Sequence, residues 1–544
     1  MPRRWWAPID AFAQTKQAAA LLFATAVAVY WLESVAWPLE RGRDAWDYLS
    51  YYLQLWEGDP VFRRLMAFRT PVASVVLGVP LDLGGALLLE AVMSLLYAVA
   101  VVAWSAAALT FGRLPAVLMA IVLLAYAPFG AVFHDVSADG VFALGFALWS
   151  LGIVSTARRP AAWRYAALGV GAVALVLTRP PNQVLLAFAV VPLVLPGRLR
   201  QRLTWAAAFA GTAVALLAGW AAYNGIRYDD FTISRLRVAS VPFFRQYLSG
   251  NIHPQGGPAS RQLARAVERE ILTKPEYRAL GVDVETYFDA GSNYEYIDLL
   301  ALSDRLWGWD SDYRVLRRAA REGDEDGHGG DGSAFALWPL TERIASGVWR
   351  FLHKRPIREP GVRHAPESES EPPQATTVIR GHKVPNPEAL GPLLAAAEYG
   401  WIWCASAYLE RCTIDHPASV WENPAQQRQY AELVRQLSEW DAHLPSRNGS
   451  VWLAEQLKRW SWKFPRPIFW LAVGLVALVL RRPRGSLVLL ALTALAGLVL
   501  AVHAASGVLL GWYGVPVYPA FFLLSAAALT GRTTGRACWG PQTR

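Results

Sequence analysis

The stretch Gln17–Trp37, QAAALLFATAVAVYWLESVAW, runs directly into PLERGRDAWDYLSYYLQLWEGDP at 38–60. The first part is apolar for the length needed to cross a hydrocarbon core about 30 Å thick. No small-residue cleavage site follows it, and further spans come after, so it reads as a retained helix rather than a signal peptide. The second part is wet and acidic, with Asp44 and Asp47 three residues apart. An apolar crossing that ends at once in paired carboxylates sets both the fold and the search for a site.

Nine more apolar stretches lie near Gly84–Phe111, Leu114–Val132, Ala138–Val154, Tyr165–Leu177, Val184–Leu195, Leu203–Tyr223, Pro467–Leu480, Ser486–Ala505 and Tyr513–Leu529. The basic clusters are Arg3/Arg4/Lys16, Arg113, Arg158/Arg159/Arg164, Arg198/Arg200/Arg202, Arg481/Arg482/Arg484 and Arg532/Arg536. They fall after every second span, and the positive-inside rule puts that face in the cytoplasm. The expected fold is an all-α polytopic membrane protein of about ten spans in the cytoplasmic (inner) membrane, with both termini cytoplasmic. Residues 1–224 form an N-terminal module of about seven spans, with a first outer loop at 38–71. Residues 225–465 form a mainly helical extracytoplasmic region, and residues 466–544 a C-terminal module of about three spans.

Residues 72–111 admit two spans hinged near Pro80–Gly85, but that would put Arg113 outside and reverse the charge side of every later loop. Pro71–Leu83 therefore reads as a short interfacial or re-entrant piece before the span Gly84–Phe111. In the first outer loop, Trp46, Leu49, Leu53 and Trp56 recur at helical spacing over Asp44–Gly58. With Tyr48, Tyr51 and Tyr52 they predict an amphipathic helix lying in the membrane interface, rings at headgroup depth. Ser260–Leu272, Arg314–Arg321 and Pro424–Trp440 are amphipathic helix candidates in the outer region. Glu322–Ser333 and Glu359–Thr377 read as flexible loops.

The net charge of +9 divides unevenly. Residues 225–465 hold 29 basic and 32 acidic side chains, so the positive excess lies in the turns between spans. Scattered in this way it forms no stripe for nucleic acid. Cys404, Cys412 and Cys538 are the cysteines. On a continuous helix Cys404 and Cys412 would stand about 12 Å apart, too far to bridge; a turn between them would be needed.

The candidate chemistry gathers on the outer face. Asp44 and Asp47 share a helical face and can ligate a divalent cation (Mg, Mn or Ca) or act as a general base; the competing reading is a pair of solvated acids beside Arg41 and Arg43. His134 and Asp135 open the next outer loop, within reach of a metal or its supporting shell. Asp139 stands at a helix N-terminus with Ser137 as cap, where simple dipole complementation competes with a site role. Arg69 in FRTP (68–71) and Arg179 in LTRPPN (177–182) suit a phosphate or pyrophosphate, or else anchor and snorkel. Glu90 reads as a headgroup-level acid near the outer end of its helix, with a cavity position the alternative. His503 and Tyr513 line the outer end of the last two spans, where an aromatic belt explains the tyrosine equally well.

Taken in order, RDAWDYL (43–49), FRTP (68–71), SADG (137–140), LTRP (177–180) and, more loosely, YGVPVYP (513–519) resemble the GT-C class of integral-membrane glycosyltransferases. These take sugars from polyprenyl-phosphate carriers; the protein mannosyltransferases and aminoarabinose transferases are examples. The resemblance covers about residues 1–225 and 465–530. It implies Asp44 as catalytic base or metal-associated carboxylate, Asp47 as its neighbour and Asp139 as second acid. It also implies Arg69 and Arg179 on the lipid-linked phosphate, a cell-envelope acceptor and an inverting displacement. A lipid or polysaccharide transporter or flippase is the alternative; the lack of an internal repeat and the one-sided charge count against it.

Overall fold

The computed structural model describes residues 16–39, 45–55, 69–228, 231–234, 251–273, 283–290, 314–327, 337–353, 376–379, 382–385, 447–483, 485–506 and 511–531, with single positions within 243–247, 299–307 and 428–440. Asp44, the three cysteines and the region between 386 and 427 lie outside the described residues.

The described residues are almost all helical. In order they form α1 (Lys16–Ser34), α2 (Ala45–Leu55), α3 (Pro71–Leu109), α4 (Arg113–Ala125), α5 (Ala138–Arg158), α6 (Ala162–Val176), α7 (Leu199–Tyr228), α8 (Pro258–Glu270), α9 (Arg314–Gly327), α10 (Leu337–His353), α11 (Arg447–Lys463), α12 (Pro467–Arg481), α13 (Ser486–Ser506) and α14 (Tyr518–Thr530). Tighter 3-10 turns occupy Pro180–Val190 and Gly511–Val517. A two-stranded antiparallel ribbon, Thr376–Ile379 against His382–Pro385, was not foreseen in the helical outer region. Seven described segments are long and apolar enough to cross a bilayer, and Arg113–Ala125, Ala162–Val176 and Pro180–Val194 are shorter apolar helices. The chain is a multi-pass membrane protein by this measure.

Helix α3 shows how the ambiguity at 72–111 resolves. It runs 39 residues but breaks at Gly84 (φ −147°, ψ 17°) and Gly85 (φ 68°, ψ −168°). The Gly85 conformation is open essentially only to glycine. Val72 N–H donates to the Leu177 carbonyl (3.1 Å) at the start of α3, while Glu90, just past the break, lies beside His134. Leu177 and His134 are both at the end of the bundle that carries Asp139 and Arg179. Residues 71–83 therefore begin and finish at that end, and only the half after Gly85 runs to the opposite one.

Lipid is as apolar as leucine, so spanning helices associate through close packing rather than water exclusion. The core joins Leu89, Met93 and Tyr97 of α3 with Phe142 and Phe146 of α5, Leu492 and Leu495 of α13, and Phe521 and Phe522 of α14. Helices α6 and α7 cross tightly at Gly169, where an added Cβ would stand 2.7 Å from the Phe209 carbonyl oxygen. The arginines at 113, 158, 159, 481 and 482 sit at one end of these helices, and the acids and Arg179 at the other.

Three sequence expectations change. Helix α2 forms where foreseen, but Tyr48, Leu49, Tyr51, Tyr52 and Leu53 are all buried. It is covered by protein, with Tyr51 against Tyr228, so these rings pack inward and do not face lipid. The N-terminal module extends past residue 224, because α7 continues to Tyr228. Residues 322–327 continue α9 instead of opening a loop. Glu322 has a reason to stay helical: its carboxylate accepts from the Ala259 and Ser260 amides (2.8 and 2.7 Å) and from the Ser260 hydroxyl, closing the first turn of α8. Burial pushes its carboxyl up, but these hydrogen bonds outweigh burial and hold it below the usual value.

Two outcomes follow. Gly169→Ala is expected to cost about 1–3 kcal/mol by overpacking against backbone, whereas Gly211→Ala, which faces open space, should leave the melting temperature in detergent unchanged or higher. For Glu322 the lowered carboxyl means stability present above the ordinary carboxylate range and lost as pH falls through the lowered value. The protection of α8 amides over Glu322→Gln should be full at pH 7 and shrink below about pH 4, read by hydrogen exchange.

Candidate functional site

Two polar clusters meet at the end of the bundle opposite the arginine-rich turns, joined by the turn from His134 to Asp139. Asp139 lies in the first turn of α5, where its amide donates to the Ser137 side chain (3.3 Å), the foreseen cap. Arg179 follows α6 at the start of the 3-10 turn, and its Nη1 forms an ion pair with Asp139 Oδ1. Both side chains are largely buried, at 10% and 14% exposure, so the pair is held in a low-dielectric setting. The Arg179 guanidinium lies over the Tyr513 ring at 4.3 Å, and Tyr513 in turn packs on His503 at 4.9 Å between centroids. Asp139, Arg179, His503 and Tyr513 thus form one cluster from four chain segments.

Arg69 is bound to the same end through the Val72–Leu177 hydrogen bond, which ties its Arg-Thr-Pro to the Leu-Thr-Arg-Pro of Arg179. It rests over the Tyr48 ring of α2 at 5.0 Å. Each of the two arginines is therefore followed closely by proline and seated on a tyrosine face, a cation–π arrangement worth about 0.5–2 kcal/mol.

The second cluster is more deeply buried. Glu33 at the end of α1, Glu90 of α3 and His134 are each at most 3% exposed. His134 Nε2 is 3.9 Å from Glu33 Oε2, and its Nδ1 is 3.6 Å from Glu90 Oε1. Tyr30 stacks on the imidazole at 4.0 Å and donates to the Phe133 carbonyl, fixing the ring plane. Glu90 Oε2 accepts from the Leu39 amide and from the Trp440 indole, both at 3.2 Å. Glu90 is therefore an interior, hydrogen-bonded acid; a carboxylate so buried needs donors, and the end of α1 and the outer region supply them.

Asp44 is outside the described residues, and of Asp47 only the helical backbone of α2 is described. Asp135 is half-buried between the clusters. Among the described residues no three His, Cys, Asp or Glu side chains are arranged to hold a metal ion. Glu33 and Glu90 approach opposite edges of the His134 ring, so the three cannot share one ion, and no metal step is derived from them.

Glu33 and Tyr30 escaped the sequence reading. The signal was present: Glu33 is the lone charge in an apolar crossing, and ionisable groups there are costly and tend to serve function. Trp440 carried no such signal, since it sits on an ordinary amphipathic pattern. No protein-family model, curated protein or solved structure matches this chain.

Removing Asp139 alone strands a mostly buried guanidinium. Asp139→Ala is expected to lose on the order of 3–5 kcal/mol, and adding Arg179→Ala should restore part of it, so that the two losses do not sum. Thermal unfolding of both singles and the double in nanodiscs checks this coupling.

Proposed function

We propose that this protein is a GT-C-type glycosyltransferase of the cytoplasmic membrane that passes a sugar from a polyprenyl-phosphate carrier to an extracytoplasmic cell-envelope acceptor. The observation that carries the reading is the pairing of Arg179 with Arg69 at one end of the bundle, each over a tyrosine face, with Asp139 fixing Arg179. That end lies away from the arginine-rich turns, which is the extracytoplasmic side by the positive-inside rule. Planar guanidinium groups at a membrane edge suit a phosphodiester, and they are best preorganised when a carboxylate and an aromatic face hold them.

In this reading Arg179 and Arg69 bind the lipid-linked phosphate, and Asp139 positions Arg179. Asp44, by resemblance, takes the proton from the acceptor hydroxyl. The acceptor oxygen bonds to the anomeric carbon from the face opposite the leaving group, and the bond from that carbon to the phosphate oxygen breaks. The electron pair stays on the lipid phosphate, where the guanidinium charge stabilises it. The anomeric configuration inverts.

A second reading has an observation of its own. A histidine between two buried carboxylates is the kind of group that handles protons in membrane carriers. A proton-coupled lipid or glycan transporter would use Glu33, His134 and Glu90, and leave the sugar bond intact.

The deciding assay offers purified protein in nanodiscs a radiolabelled polyprenyl-phosphate sugar and a crude cell-envelope acceptor fraction. Wild type should release polyprenyl phosphate and label the acceptor. Asp44→Asn should lower transfer by about a hundredfold or more while folding normally, and Arg179→Ala should lower it as far while also losing the stability of the broken ion pair, so its activity is read per folded protein. Full transfer by Asp44→Asn removes its role. Movement of the lipid across liposomes with no product establishes the transporter instead.

A further inference from the structure

Two acids flank the break in α3, and each collects one partner from the first outer loop and one from segment 428–440. Asp82, just before it, accepts from the Tyr52 hydroxyl of α2 (2.8 Å, Oδ2) and from the Gln429 side-chain amide (3.2 Å, Oδ1). Glu90, just after it, accepts from the Leu39 amide and the Trp440 indole. Leu39, at the entry of the first outer loop, and Tyr52, in its helix α2, lie on either side of Asp44 in sequence. Gln429 and Trp440 both belong to segment 428–440 of the outer region, hundreds of residues away.

Every described residue from 428 to 440 is helical. Positions 429, 433, 436, 437 and 440 share one face by helical spacing. Leu433 and Leu437 on that face are buried in the main core. Gln436 lies over the glycine break itself, its Oε1 3.5 Å from where a Cβ on Gly85 would be. The opposite face is charged and exposed, with Arg435 bridging Glu432 and Glu439 along the helix. The segment is thus a strap laid along α3 from Asp82 to Glu90, apolar side down.

We propose that Gln429 and Trp440 are positioning residues: through Asp82 and Glu90 the strap fixes both flanks of Asp44 in the first outer loop, at Leu39 and at Tyr52, at once. The acids are the shared elements, so the outer region and the first outer loop hold their places together. The consequence for catalysis rests on the transferase reading, because it is Asp44 that the flanks would set; the mechanical coupling does not.

The test uses full-length protein in nanodiscs with Gln429→Ala, Trp440→Phe and the double variant. Trp440→Phe keeps an aromatic ring but removes the indole donor together with the pyrrole half of the bicycle. Hydrogen exchange is read at peptides containing Leu39, at α2, and at α5 and α6 as controls. Loss of one such bond should speed local exchange about fivefold. Gln429→Ala should act mainly on α2 and Trp440→Phe mainly on Leu39, with the double loosening both and α5 and α6 unchanged. Wild-type exchange at Leu39 and α2 in the double variant overturns the coupling. If the double loosens the whole bundle, the singles decide: failure of each to act at its own flank overturns it equally.

Sugar transfer is the second readout. The double variant should lose about tenfold in kcat with the lipid-donor KM changed less than about twofold, the pattern of a misplaced reacting group. Loosened flanks with wild-type kcat remove the positioning role. Loosened flanks with no transfer by wild type itself overturn the enzyme reading and leave the strap standing.

Discussion

A guanidinium buried beside lipid is costly unless it is paired, and Arg179 is where that constraint acts on this fold. Asp139 pairs with it from the first turn of α5, and Tyr513 covers it from the turn before α14. These groups come from the N-terminal and C-terminal halves of the chain. Burial makes the attraction strong and makes its loss expensive. The separation in sequence means that one interaction registers α5, the exit of α6 and the last helical hairpin against each other. The adjoining His134 cluster adds α1 and α3 to the same end. The site is therefore also where much of the bundle is held in alignment, and changes there will be felt in folding as well as in chemistry.

The sequence made some of this legible for definite reasons. Apolar length located the crossings, since bilayer thickness leaves little choice. Arginine in alternate turns separated the two ends, and among the described residues Arg113, Arg158, Arg159, Arg481 and Arg482 lie at the helix ends away from Asp139 and Arg179. Ser137 capping α5 and the amphipathic face ending at Trp440 were readable from local pattern. Long-range pairing was not. Nothing in the neighbourhood of Glu90 says that an amide at position 39 and an indole at position 440 will converge on it. The tyrosines of α2 look amphipathic in sequence, and only their packing against α3 and α7 makes them interior. Glu322 illustrates a third limit: its acid-rich, glycine-rich surroundings suggest a loop, but three donors at the start of α8 make a helical position worthwhile.

The two clusters divide the chemistry. Around Arg179 the groups are a cation, a carboxylate and aromatic faces, suited to an anionic headgroup. Around His134 they are two carboxylates and an imidazole, suited to moving or sharing protons. The short turn from His134 to Asp139 joins them by a few residues of backbone.

The 3-10 winding after Arg179 carries a geometric consequence. Such a helix advances about 2.0 Å per residue against about 1.5 Å for an α-helix. Pro180–Val190 in that form, continued by the α-turn Val191–Val194, reaches about 28 Å, close to the thickness of a hydrocarbon layer. Fifteen residues of ordinary α-helix would fall several ångströms short. Stretching the coil lets a segment too brief by residue count match the depth of its neighbours, and the prolines at 180 and 181 start it where the guanidinium must stay at the rim.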